Sequence, residues 1–350
     1  MQAEAVISSQ QINKKWYPKK IIITADALKY QFGESIYERI RNLGIDIVES
    51  PANRITGIKG KTDAETYRNA KSTLAIVAAP PGQFRLQPIP PSADYQFHLA
   101  QGCPAHCQYC YLAGSLQGPP VVRAYANIEE ILNNTALYDR DNKITSFEAS
   151  CYTDPLALEH LTGSLSETIK HFGRREKAHL RWVTKFDDVT PLLDLSHNKR
   201  TRCRISFNAA EIIRHFEAGT ASLEQRLIAL GKLIDHGYPV GIVMAPIIPV
   251  ADWERIYETL FQRLANTIPA HTDLTIEFIT HRFTPGSKDI LTGWYPNTKL
   301  PFDEDDRSRK FNKFGGVKYV YKQDTMKEMK HHFFALQKRY LPTGEVLYWT

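Results

Sequence analysis

The sequence predicts an α/β protein: a partial (β/α)6 TIM-like barrel with a small N-terminal α/β unit before it and a C-terminal β-hairpin. Three observations carry that expectation. Strand-like runs alternate with helical patterns between residues 94 and 280, the rhythm of a parallel sheet. The stretch "APPGQFRLQPIPPSAD" (79–94) holds five prolines and reads as a stiff connection. Near the end, Gly315-Gly316 separates two basic, aromatic arms, the pattern of a hairpin.

In chain order, "KIIITAD" (20–26) and "TLAIVAAP" (73–80) are β-branched runs, and "ESIYERIRNLG" (34–44) has helical spacing closed by glycine. They make up the N-terminal unit, residues 1–90 including the proline-rich connection. Residues 91–350 form the barrel. Its six strands are read at "DYQFHLA" (94–100), "ITSFEAS" (144–150), "HLRWVTK" (179–185), "RTRCRISF" (200–207), "PVGIVMAP" (239–246) and "DLTIEFIT" (273–280). Helices are read at 154–172, 222–237 and 252–266. The chain after the linker is too short for eight βα units. The hairpin is placed at about 310–322.

At 350 residues, 43% hydrophobic and 23% charged, the composition is that of an ordinary folded protein. No run approaches the length of a membrane span, and the first twenty residues lack the apolar core of a secretory signal. A cytoplasmic monomer is expected. A net charge of +6 permits a polyanionic partner without requiring one. From Arg307 to Tyr340, however, ten Lys/Arg face only two Asp/Glu, interleaved with Phe and Tyr.

Parallel barrels place their chemistry where the C-terminal ends of the strands meet. Past the first strand comes "CPAHCQYCYL" (103–112), with three of the chain's five cysteines. The later ends carry Cys151, Thr153 and Asp154; Lys185 and Asp187; Ser206 and Asn208; Ala245 and Pro246; His281 and Arg282. Five cysteines, three of them clustered, make a poor disulfide framework. The spacing C-x3-C-x2-C brings three thiolates to one inorganic core, and a four-iron cluster held by three leaves one iron open. Zinc held by cysteines and His106 is the alternative, although His106 adjoins Cys107 and no second C-x2-C pair exists.

Cys103, Cys107 and Cys110, on a loop after the first barrel strand, resemble the cluster motif of the radical S-adenosylmethionine superfamily. The ordered blocks "FHLAQGCPAHCQYCYL", "FEASCYTD", "RWVTKFDDV", "RISFN", "HFEAGTASLEQRL", "MAPI", "EFITHRFT" and "KYVY" narrow this further. Together they resemble the spore photoproduct lyase family of DNA-repair enzymes. The resemblance implies a 4Fe-4S cluster, S-adenosylmethionine, ultraviolet-damaged DNA as substrate and a one-electron donor. It implies that Cys151 gives a hydrogen atom to the repaired thymine, and that Tyr109 and Tyr111 return one towards 5′-deoxyadenosine. Thr153, Lys185, Ser206, Asn208 and Ala245 match positions that hold S-adenosylmethionine. Arg202, Arg204, Ser206 and Asn208 share one strand face, which turns Cys203 towards the helices as a structural residue. In the hairpin, Lys313, Phe314 and Lys318 match residues beside the lesion. Lys313-Phe314 replaces the expected Arg-Tyr, and Tyr152-Thr153 the expected Thr-Ser. Two further readings remain open: the same machinery on another base or lesion, and a zinc-stapled nucleic-acid-binding module.

Overall fold

The computed structural model describes residues 15–115, 118–311 and 316–350. Its main sheet has eight strands. Seven run parallel: β1 (Ala93–Phe97), β2 (Thr145–Ala149), β3 (Ala178–Thr184), β4 (Thr201–Phe207), β5 (Val240–Ile247), β6 (Leu274–Thr280) and β7 (Glu345–Trp349). Each pairs with the next in chain order, and Gln87–Ile89 closes the β1 edge antiparallel. All six strands read from the sequence are present. The seventh, "EVLYW", was not expected.

Alternation along β3 shows how the sheet is covered. Ala178, Leu180, Trp182 and Thr184 are buried among the helices, while His179, Arg181 and Val183 lie on the other face. On β4 the same logic buries Cys203, Ile205 and Phe207 in the main core, so Cys203 is structural. The opposite face, from Arg204 to Ser206, lines the barrel interior. There Arg204 bonds Glu148 of β2 and Glu277 of β6, and Arg181 of β3 also reaches Glu277. Strands several positions apart share one ion network because the sheet curls into a half-barrel.

The helices pack outside. Leu223–Asp235 opens with a capping box, Ser222 accepting from Gln225 N–H while Gln225 returns to Ser222 N–H. The single helix expected at 154–172 is two, Leu156–Thr162 and Ser164–Gly173, broken at Gly163, where φ is +72°.

The smaller sheet draws its strands from both sides of residue 90. Lys20–Thr24, Asp46–Ser50 and Thr73–Val77 are its parallel N-terminal strands. Val122–Tyr125 and Ala100–Gln101, from beyond the proline-rich connection, complete it. One face, with Ile21, Ile23, Leu74 and Ile76, packs on Leu158 and Leu161 of a barrel helix. The two sheets are thus stitched together by the segment that carries the cysteines.

The hairpin forms from Arg307–Phe311 and Val317–Tyr321. Its base is pinned to the residues after β6: Phe283 and Tyr319 exchange backbone hydrogen bonds (3.2 and 2.7 Å) and stack their rings. Lys313 and Phe314 lie outside the described residues. No helix among the described residues is long and apolar enough to cross a membrane.

Candidate active site

The cysteine loop leaves the small sheet at Gly102. Its φ is +81°, and a Cβ there would stand 2.4 Å from the Val121 carbonyl oxygen, so only glycine fits. Gly102 N–H donates to the Tyr152 carbonyl (3.0 Å), and Thr153 Oγ1 donates to the Gly102 carbonyl (2.6 Å). These bonds tie the start of the cysteine loop to the turn carrying Cys151. Further along, His106–Cys107 pairs antiparallel with Glu217–Ala218.

Cys103, Cys107 and Cys110 are free thiols, each partly buried against the main core. Burial pushes the Cys103 thiol up to about 11, against the opposing charge of Lys71, and it raises Cys107 further. His106 is occupied by the N-terminal unit: its Nδ1 lies 3.0 Å from Tyr67 Oη, and burial lowers it to about 4, so it is neutral.

Above the barrel strands, polar groups converge. Lys185 Nζ donates to Ser206 Oγ (2.7 Å) and the Ala245 carbonyl (3.0 Å), and lies 5.6 Å from the Tyr109 ring centre. Asn208 Nδ2 donates to the Pro246 carbonyl (2.7 Å), while its Oδ1 accepts from Tyr257 Oη (2.8 Å). Asp154 receives the Lys185 N–H (2.7 Å) and the Thr184 hydroxyl (2.8 Å), joining the ends of β2 and β3. Its burial pushes the carboxyl up to about 6.

Cys151 follows Ser150, which has a left-handed backbone (φ 61°). Burial, reinforced by Glu148 beneath it, raises the Cys151 thiol well above its ordinary value. The two tyrosines differ. Tyr109 is buried, with its hydroxyl donating to Glu217, which in turn pairs with Arg226. Tyr111 is 44% exposed and lies under the guanidinium of Arg282 at 5.6 Å.

Arg282 also sets the charge of the hairpin. Lys318 stands opposite Lys310 in the antiparallel register, and burial together with Arg282 and Lys310 lowers its pKa. Three cations crowd one edge of the site, a surface that favours an anion.

Comparison with known proteins decides the family. A model described as spore photoproduct lyase matches residues 16–350. The chain belongs to the spore photoproduct lyase family. The spore photoproduct lyase of Geobacillus sp. (strain Y412MC61) is 40% identical over 96% of this chain and 100% of its own. That of Bacillus subtilis (strain 168) is 38% identical over 95% and 98%. A solved spore photoproduct lyase mutant with bound AdoMet and dinucleoside spore photoproduct superposes with a TM-score of 0.92 at 38% identity, covering 96% of this chain and all of that one. Like the other spore photoproduct lyases, this chain is a lyase.

Against that family background, most sequence-expected residues meet at one end of the barrel: the three cysteines, Tyr109, Cys151, Thr153, Lys185, Ser206, Asn208 and Ala245. Tyr111 and Lys318 lie at its edge beside Arg282. The sequence reading missed Lys71, Tyr67, Glu217 and Arg226. Each is a single polar residue on a helix or short strand, and no spacing marks it.

Proposed function

We propose that the chain repairs the spore photoproduct in ultraviolet-damaged DNA, splitting 5-thyminyl-5,6-dihydrothymine into two thymines. In this reading Cys103, Cys107 and Cys110 would hold a 4Fe-4S cluster, and S-adenosylmethionine would bind beside it. The donor set fits such a group. Cys103, Cys107 and Cys110 are free, partly buried thiols on one short loop, and cysteine thiolates are the ligands such clusters take. The chemistry supplied by the bound cluster and S-adenosylmethionine is reductive formation of a 5′-deoxyadenosyl radical.

The chain's own residues do the rest. Lys185, held by Ser206 and the Ala245 carbonyl, presents an ammonium to a carboxylate, while Thr153 and Asn208 line the same mouth. After the methylene bridge breaks, Cys151 gives its hydrogen atom to the carbon radical on thymine: the S–H bond breaks and a C–H bond forms. A raised thiol pKa keeps that hydrogen in place at neutral pH. Tyr109 and Tyr111 then relay a hydrogen atom back to the Cys151 thiyl: a tyrosine O–H bond breaks as the S–H bond re-forms, and 5′-deoxyadenosine replaces the hydrogen the tyrosines gave up, with Glu217 fixing the Tyr109 ring. Arg282, Lys310 and Lys318 receive the phosphate backbone.

The convergence of Lys185, Ser206 and Ala245 beside the cysteine loop is the observation that carries this reading. Its test is anaerobic turnover of reconstituted protein with a one-electron reductant, S-adenosylmethionine and the synthetic dinucleoside lesion. Wild type is expected to form thymine, and Cys151→Ala to divert the product to adducts. Cleavage of S-adenosylmethionine without thymine would keep the radical chemistry and remove the lesion assignment. A colourless protein carrying only zinc would remove both.

A further inference from the structure

Lys71 closes the N-terminal helix Asp63–Lys71, and its side chain is only 6% exposed. Its ammonium donates to the backbone carbonyls of Cys103 and Ala105. No carboxylate among the described residues forms an ion pair with it. The ring of Tyr67, 5.7 Å away, is its other neighbour of note. Buried lysines are almost always paired, because a desolvated ammonium without a counter-anion is costly. Two neutral carbonyls take two of its three N–H donors and leave its charge unbalanced.

Tyr67 stands one helical turn earlier on the same face. Its hydroxyl meets His106 Nδ1 and Tyr295, and its ring stacks on Trp294 at 4.3 Å. Through these two side chains the helix touches the cysteine loop at Cys103, Ala105 and His106. A helix C-terminus carries partial negative charge, which would oppose an anionic group nearby. Lys71 reverses the sign there.

We propose that Lys71 is the built-in counter-charge of the cluster site: it positions the cysteine loop and favours the reduced, more negative state of the bound cluster. The N-terminal unit then acts on electron uptake without touching substrate. This inference rests on the reading of Cys103, Cys107 and Cys110 as cluster ligands. Nothing in it requires Lys71 to titrate or to contact S-adenosylmethionine.

The test uses the full chain, reconstituted anaerobically, as wild type, Lys71→Gln and Lys71→Arg, with Tyr67→Phe as a charge-neutral comparison. Iron content is measured first, and the midpoint potential is then read by titration followed by electron paramagnetic resonance. Lys71→Gln keeps a donor for the carbonyls but loses the charge, so its midpoint is expected to fall below that of wild type. Lys71→Arg is expected to restore it, and Tyr67→Phe to leave it unchanged. A Gln variant that folds as wild type yet takes up no iron, while the Arg variant loads, supports the same role at assembly. An unchanged midpoint in a fully loaded Gln variant would overturn the proposal. So would a Gln variant whose apo form already unfolds, since Lys71 would then serve the backbone alone. Wild type without iron would instead fail the cluster reading itself.

Discussion

The donor role proposed for Cys151 requires a thiol that still carries its hydrogen at working pH, and burial and the nearby Glu148 carboxylate raise its pKa in that direction. Glu217 shows the opposite balance. Burial alone would raise its carboxyl, but Arg226, Lys185 and the Tyr109 hydroxyl together hold it below the ordinary value. A carboxylate with a depressed folded pKa stabilises the fold above its unfolded pKa of about 4.3 and loses that contribution as pH falls through the lower folded value. Removing it leaves Arg226, fully buried, without its anion. Glu217→Ala is therefore expected to cost about 3–5 kcal/mol, read as a lower urea midpoint at neutral pH. The gap from wild type should narrow in acid. A loss under about 1 kcal/mol would show that Arg226 finds compensation elsewhere.

At the scale of elements, the cysteine loop depends on Gly102 more than on any propensity of its own. Gly102→Ala would force a Cβ against the Val121 carbonyl and break the ties to Tyr152 and Thr153. Near-wild-type circular dichroism with little iron uptake is the expected result; full loading would show that the loop adapts. The six barrel strands were legible because each is a β-branched or aromatic run buried by helices on one face. The cysteine spacing and the polar strand ends were legible for the same reason, as local patterns. What could not be read were contacts between distant single residues. Lys71, Glu217 and Arg226 look like ordinary helix or loop charges until the fold buries them. Short strands such as Ala100–Gln101 and Glu217–Ala218 exist only because a partner meets them. The run "EVLYW" was not read as a strand, and its pairing with the distant β6 is again a contact that no local pattern marks.

For the molecule as a whole, the proline-rich connection does not divide two independent bodies. Strands from both sides of it share the smaller sheet, and Lys71 and Tyr67 reach the cysteine loop from the N-terminal side. A fragment covering residues 91–350 would expose the paired edge of Val122–Tyr125 and the side chains of Leu158 and Leu161, on which the N-terminal strands pack. Such a fragment is expected to be insoluble, or soluble without iron uptake, as read by size-exclusion chromatography and iron assay. A monodisperse, fully loaded fragment would show the barrel to be self-sufficient.

The ties on the cysteine loop also dictate an order of assembly. Three sulfurs lie within eight consecutive residues, yet the loop that carries them is fixed by partners 32, 51 and 108 residues away. Contacts of such separation close late, after the chain has paid for long loops. In a zinc finger the metal organises an otherwise unfolded peptide. Here both sheets must meet before the thiols are presented, so the proposed cluster would enter a finished scaffold and not nucleate one.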